Sequence, residues 1–128
     1  GGRGSIDLTL DLLNHDPLFL SFQSQKNPNR LKVAIITGAG QGLGAAAARL
    51  FASHGARVLV ADLDGEKAKS VAAEINATAA GAGGKAAAFA GDVTDAEFAP
   101  ACVRAALDAF GGESIDILVN NAGELKEF

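Results

Sequence analysis

From Leu31 onward, short unbroken apolar runs alternate with longer stretches in which apolar residues recur every three or four positions. LKVAIIT (31–37) is a run of the first kind, rich in β-branched residues, as a strand covered on both faces of a parallel sheet must be. RVLVAD (57–62) and IDILVN (115–120) share that character, and KAAAFAGDV (85–93) is a weaker version placed by its position between helical patterns. The first helical pattern, LGAAAARLFASHG, consists of helix formers, with Gly55 set to end it in a left-handed turn. In the second, Ala68, Val71, Ala72 and Ile75 stand at i, i+3, i+4 and i+7 behind Asp64 as the cap. The third runs to Phe110 with Ala99, Val103, Ala106 and Phe110 on one stripe. Thr94 and Glu97 have capping-box spacing at its start, Pro100 should kink it or delay that start, and Gly111 and Gly112 close it. AGAGG (80–84) reads as a loop.

Strands alternating with helices of this length imply right-handed crossovers and a parallel sheet covered on both faces. The expected fold is therefore α/β, a doubly wound parallel sheet of about four strands, occupying residues 31–123 within a unit spanning 31–128. Residues 1–30 read differently. An apolar patch, Leu18 to Phe22, gives way to the polar QSQKNPNR, so this part is expected to be a flexible extension or linker without chemistry of its own.

Composition narrows the function. With 128 residues there is room for one modest domain, and seven Phe with no Trp, Tyr or Met leave a core of aliphatic and alanine side chains. A formal charge of −4 without a basic block argues against nucleic acid as the main partner. One cysteine, Cys102, excludes an internal disulfide and a cysteine-built metal site and fits a reducing, cytoplasmic setting. No run of 18 apolar residues is long enough to span a membrane. The chain begins with Gly1 and contains no methionine, so its true start, and any address there, is expected to be missing.

The chemistry-bearing stretch is TGAGQGLG, Thr37 to Gly44, between the first strand and the first helix. A strand-to-helix turn exposes the first N–H groups of the helix, which lack partners within it and sit at the positive end of its dipole. That is a site for an anion, and glycine keeps side chains from holding a phosphate away from the backbone. Gly44 is followed by Ala45 and Ala46 rather than Lys-Ser/Thr, so a triphosphate loop is poorly supported. The G-x-G-x-x-G spacing also fails, because Leu43 stands three residues after Gly40. Present instead is the longer loop Thr37-Gly38-x-x-x-Gly42-x-Gly44, to which a diphosphate is suited. Asp62 ends the second strand 18 residues after Gly44, where a carboxylate accepts hydrogen bonds from an adenosine ribose. Its charge would repel a 2′-phosphate by ~1–4 kcal/mol at about 4 Å. Arg57 is at the wrong end of the strand and Gln41 brings no charge, so NAD is preferred to NADP. The bland alternative for Asp62 is a solvated turn residue.

TGAGQGLG, Asp62, GDV (91–93) and NNAG (120–123), in this order, resemble the N-terminal half of the short-chain dehydrogenases/reductases, over residues 31–123. The run looks most like 3-oxoacyl-acyl-carrier-protein reductases and hydroxyacyl-CoA dehydrogenase modules. The resemblance implies a Rossmann-type fold and interconversion of alcohol and carbonyl groups on a small substrate in a full-length parent. It also implies a cofactor site. Thr37, Gly38, Gln41, Gly42 and Gly44 would belong to the diphosphate loop, with Leu43 in contact nearby. Asp62 would take the ribose, Asp92 the adenine amino group and Val93 its ring, while Asn120, Ala122 and Gly123 would border the nicotinamide-side ribose. Asp92 simply ending a strand, and asparagines simply bonding a turn, are the structural alternatives.

Members of that family draw on a Ser and a Tyr-x-x-x-Lys pair after NNAG, and this chain has no tyrosine. His15 lies in the extension, His54 at the far end of the first helix, Ser114 at the wrong end of the fourth strand, and Cys102 reads as a packed helix residue. The 128-residue chain alone is thus expected to bind cofactor without turnover, and a non-catalytic binding or interaction module is the alternative. Its fourth strand is expected to be an exposed parallel edge. The later helices through which the family assembles are not in this sequence, so no oligomer is carried over.

Overall fold

The computed structural model describes residues 6–7, 32–111 and 114–121. Five parallel strands form one sheet: β1 (Ile6–Asp7), β2 (Val33–Thr37), β3 (Arg57–Asp62), β4 (Lys85–Ala90) and β5 (Ile117–Val119), in the order β1-β5-β2-β3-β4. Among the described residues three helices connect them, α1 (Gly42–Ser53), α2 (Gly65–Thr78) and α3 (Phe98–Phe110), and a 3₁₀ turn at Ala80–Ala82 leads into β4. The fold is the expected Rossmann-like one.

Two apolar layers follow from strand alternation. Ala34, Ile36, Val58 and Val60 face α1 and α2, packing with Ala45, Ala48, Phe51, Val71 and Ile75. Val33, Ile35, Leu59 and Ala61 face the other way onto Cys102, Ala106 and Phe110 of α3. The sheet is thus covered on both sides by small and branched side chains, as a both-faces-buried parallel sheet requires. Among the described residues no helix is long and apolar enough to cross a membrane.

Three local readings are corrected. The exposed edge expected at β5 is paired: Ile117 and Leu118 are in register with Ile6 and Asp7, so two residues of the expected linker belong to the sheet. The capping box does not form. The Thr94 N–H and hydroxyl both donate to Asp92 Oδ1 (2.9 and 2.7 Å), and the Glu97 N–H donates to Asp95 Oδ1 (2.9 Å). Short Asp side chains capture these donors in local turns, and α3 starts only at Phe98, which puts Pro100 in a first turn where its missing N–H costs nothing. The α3 stripe also turns: Cys102, Ala106 and Phe110 are buried, whereas Ala99 and Val103 are exposed.

Distant strands are tied at their starts by side chains. Asp116, buried, accepts from the Val33 N–H through Oδ2 (2.9 Å) while its own N–H donates to Val33 O (2.9 Å). Arg57 donates to Phe110 O (2.8 Å) at the C-terminus of α3, the end of the sheet opposite the glycine loop, as expected. Asn76 of α2 both donates to Ala86 O (3.0 Å) and accepts from the Ala86 N–H (2.9 Å), fastening the outermost strand.

Candidate cofactor site

Helices leave β2 and β4 toward opposite faces of the sheet, and β2 lies between β5 and β3. The strand order therefore reverses beside β2, and the crevice outside the carboxyl ends of β2 and β5 is where such sheets bind ligands. Thr37, the glycine loop, Asp62 and Asn120 all stand at that end.

The loop is shaped by two tertiary ties. Gly38 (φ 65°) and Gly42 (φ 60°) take left-handed angles that other residues adopt only with strain. Ala39 then donates its N–H to Ala61 O (3.0 Å), and the Gly40 N–H donates to Asp62 Oδ2 (2.8 Å), drawing the loop over the end of β3. On the other side, the Asn121 N–H donates to Thr37 Oγ1 (2.9 Å), and Asn121 Nδ2 donates to Gly38 O (3.2 Å). Gly44 allows that second contact. A Cβ there would lie 2.2 Å from Gly38 O and 2.6 Å from Asn121 Nδ2.

What remains open is the N-terminus of α1. Gln41 occupies the cap position in extended geometry but makes no side-chain cap bond, and a Cβ on Gly42 would meet nothing within 4 Å. Backbone donors at the positive end of a helix thus face open space, an arrangement that suits an anion such as a diphosphate. Asp62 is half-buried beside it. Each of its oxygens accepts one backbone N–H, Oδ2 from Gly40 and Oδ1 from Asp64 (2.8 Å), which fixes the carboxylate while leaving lone pairs for a ligand hydroxyl.

The remaining residues of the expected site are placed as follows. Thr37 is buried, and its hydroxyl serves the backbone of β5, donating to Val119 O (3.4 Å). Gln41 and Leu43 are exposed, and Gly44 is buried in the helix. Asp92 is exposed with Oδ1 engaged by Thr94, and Val93 is exposed next to it. Val93, Thr37 and Asn120 line one mostly apolar groove of about 330 Å³ with Ile35, Phe98 and Leu118. Ala122 and Gly123 lie outside the described residues. Among the rejected groups, His54 follows the last turn of α1, and Cys102 is buried, its thiol pushed up to about 11 by loss of solvent. Among the described residues there is no cluster of three metal-ligating side chains.

Three residues escaped the sequence reading. Asn121, rather than Asn120, ties β5 to the glycine loop. Gly40 admits the Asp62 carboxylate, since a Cβ there would lie 2.9 Å from Asp62 Oδ2. Lys67 donates from Nζ to Gln41 Oε1 (2.6 Å), bridging α2 to the loop. For Asn121 the NNAG run was the available signal; for the other two there was none.

Known proteins match this arrangement. The family model for short chain dehydrogenase matches residues 32–128. A 2,5-dichloro-2,5-cyclohexadiene-1,4-diol dehydrogenase of Sphingobium indicum is 50% identical over 97 residues, covering 74% of this chain and 36% of the relative. Trans-4-hydroxycyclohexanecarboxylate dehydrogenase of Sinomonas cyclohexanicum is 47% identical over 94 residues, covering 72% and 36%. Among solved structures, 3-ketoacyl-(acyl-carrier-protein) reductase from Brucella melitensis complexed with NADH aligns with a TM-score of 0.61 and 46% identity over 72% of this chain and 34% of that one. L-sorbose reductase from Gluconobacter frateurii, complexed with NADPH and L-sorbose, gives a TM-score of 0.64 and 35% identity over 73% and 34%. The chain spans about a third of the length of these relatives. Sheet order, glycine loop and sequence likeness agree, and the chain belongs to the short-chain dehydrogenase/reductase family.

Proposed function

We propose that residues 32–123 form the dinucleotide-binding portion of an oxidoreductase that interconverts alcohol and carbonyl groups, with NAD(H) preferred over NADP(H). The observation that carries this reading is the uncapped N-terminus of α1 standing open beside a carboxylate that the loop itself has fixed. The N–H groups that open α1 would hold the diphosphate, and Asp62 would accept from the adenosine ribose hydroxyls. Asp92 and Val93 would meet the adenine, and Asn120, Ala122 and Gly123 the nicotinamide-side ribose. When bound, the nicotinamide supplies or accepts a hydride at carbon.

The substrate class is a small alcohol or ketone. The cyclic alcohols in the relatives' names are members of it, and the 3-ketoacyl group in one structural neighbour's name carries the same carbonyl. The 128 residues contain no tyrosine, so the proton-transfer pair to which the resemblance points is not among them. A polypeptide of these residues alone is proposed to bind cofactor without turning over substrate.

Calorimetric titration of the 128-residue chain with NADH tests the binding. Saturable binding is expected, and Gly42→Val should weaken it at least about tenfold, because a branched side chain would fill the open space over the cradle. An absence of binding at millimolar NADH sinks the proposal. So does a Gly42→Val variant that folds and binds like the parent.

A further inference from the structure

The preference for NAD rests on Asp62 repelling a phosphate on the ribose 2′ oxygen, and the sequence shows no cation in the loop to offset it. The fold brings one. Lys67 stands in the first turn of α2, where its N–H donates to Asp64 Oδ1 (3.2 Å), and its side chain runs back over the glycine loop. Two distances fix its place: a Cβ on Gly40 would lie 2.9 Å from both Asp62 Oδ2 and Lys67 Cβ, so the carboxylate and the lysine stem flank one point. From there Nζ reaches Gln41 Oε1 at 2.6 Å, an exposed bond to a neutral acceptor.

Four other cations among the described residues are placed elsewhere. Arg57 and Lys85 begin their strands at the opposite end of the sheet. Arg49 pairs with Glu74 (2.9 Å), and Lys69 lies 3.7 Å from Glu66. An ammonium held by an amide oxygen on an exposed, flexible stem exchanges that partner at little cost for a dianionic phosphate, which binds it more strongly than a neutral carbonyl does.

Resting on the cofactor reading above, we infer that Lys67 is a specificity-determining residue: it swings from Gln41 to a 2′-phosphate beside Asp62, so that the site accepts NADPH as well as NADH. NADH carries no charge at that position and leaves Lys67 on Gln41. The lysine therefore acts on the ratio of the two affinities and not on their common part.

Titrating the 128-residue chain and its Lys67→Gln and Lys67→Arg variants with NADH, NADPH and inorganic phosphate distinguishes the outcomes. Lys67→Gln should weaken NADPH by about three- to tenfold, the size of one exposed, partly screened charge pair, and change NADH by less than about twofold. Lys67→Arg should keep NADPH, and the NADPH affinity of the parent should fall more steeply with salt than that of NADH. Inorganic phosphate, which the α1 cradle can also hold, should compete with both dinucleotides and more strongly with NADPH. Equal losses for both dinucleotides in Lys67→Gln would make the Gln41 bond a loop clasp and overturn the inference, as would an unchanged ratio. A parent chain that binds neither dinucleotide would instead overturn the cofactor reading itself.

Discussion

Gly44→Ala separates what the glycine loop needs for folding from what it needs for a ligand. In most helices this change stabilises, by ~1 kcal/mol, because alanine has less backbone freedom to lose. Here the new Cβ would stand 2.2 Å from Gly38 O and 2.6 Å from Asn121 Nδ2, both well inside the 3.4 Å at which ordinary contact begins. The carbonyl is backbone and cannot rotate away alone. Relief requires α1 to rise off the loop and the Asn121 amide to swing aside, and the second movement breaks the Asn121–Gly38 hydrogen bond (3.2 Å), worth ~1 kcal/mol. Overpacking in a fitted site adds ~1–3 kcal/mol. Set against the helix gain, the net cost is ~1–3 kcal/mol, or a fall in melting temperature of about 5–15 °C for a domain of this size.

Thermal melting by circular dichroism measures it, with Gly81→Ala as the control. A Cβ at Gly81 meets nothing within 4 Å, so that variant should melt at or slightly above the parent. The strain also predicts coupling. In an Asn121→Ala background Gly44→Ala should cost less, because one of the two obstructing groups is gone. A Gly44→Ala protein that melts within about 1 °C of the parent, or costs that simply add, would refute the close approach of helix and loop.

Three further outcomes are expected. Asp116→Ala should lower stability by ~1–3 kcal/mol in urea unfolding, because the buried Val33 N–H loses its 2.9 Å acceptor, whereas Asp116→Asn, which retains an acceptor, should cost less. Burial raises the Cys102 thiol from 9.0 to about 11, so its contribution is full below about pH 9 and is lost as pH rises toward the folded value. The loss is ~2–3 kcal/mol, and the alkaline limb of the stability curve should flatten in Cys102→Ala by that amount. Removing residues 1–8 should strip β1 from β5 and expose an unpaired parallel edge, seen as larger species in light scattering; an unchanged monomer would show that β1 does not protect that edge.

Much of the fold was legible because its elements are local. RVLVAD was read as a strand over 57–62 and is one over those residues, and all four positions of the α2 stripe are buried under the Asp64 cap. One boundary that moved did so for a long-range reason: β5 begins only at Ile117, because Asp116 gives its side chain to the N–H of Val33, 83 positions away. The Thr94–Glu97 pair shows the limit of spacing rules, since two aspartates nearer in sequence reached the same donors first. β1 stands at the head of an alternation, Ile6, Leu8, Leu10 and Leu12, that was not read as a strand, and what pairs Ile6 and Asp7 is the edge that β5 offers.

The site was legible to the extent that it is a loop and opaque where it is an assembly. Asp62 and the glycines announce themselves, but the bonds that give them a shape join residues far apart: 22 positions between Gly40 and Asp62, 26 between Gln41 and Lys67, 84 between Thr37 and Asn121. The two ends of the crevice thus have separate supports. The ribose end depends on β3 and the start of α2, which follow the loop at once. The glycine-loop end, where the diphosphate is proposed to lie, depends on Asn121, which arrives only after β4, α3 and β5 are in place, and closing so long a connection requires most of the sheet to be built first. A loop held this way takes its shape when β5 docks against β2, so the dinucleotide binding proposed above would be a property of the assembled sheet and not of TGAGQGLG, the segment that first suggests it.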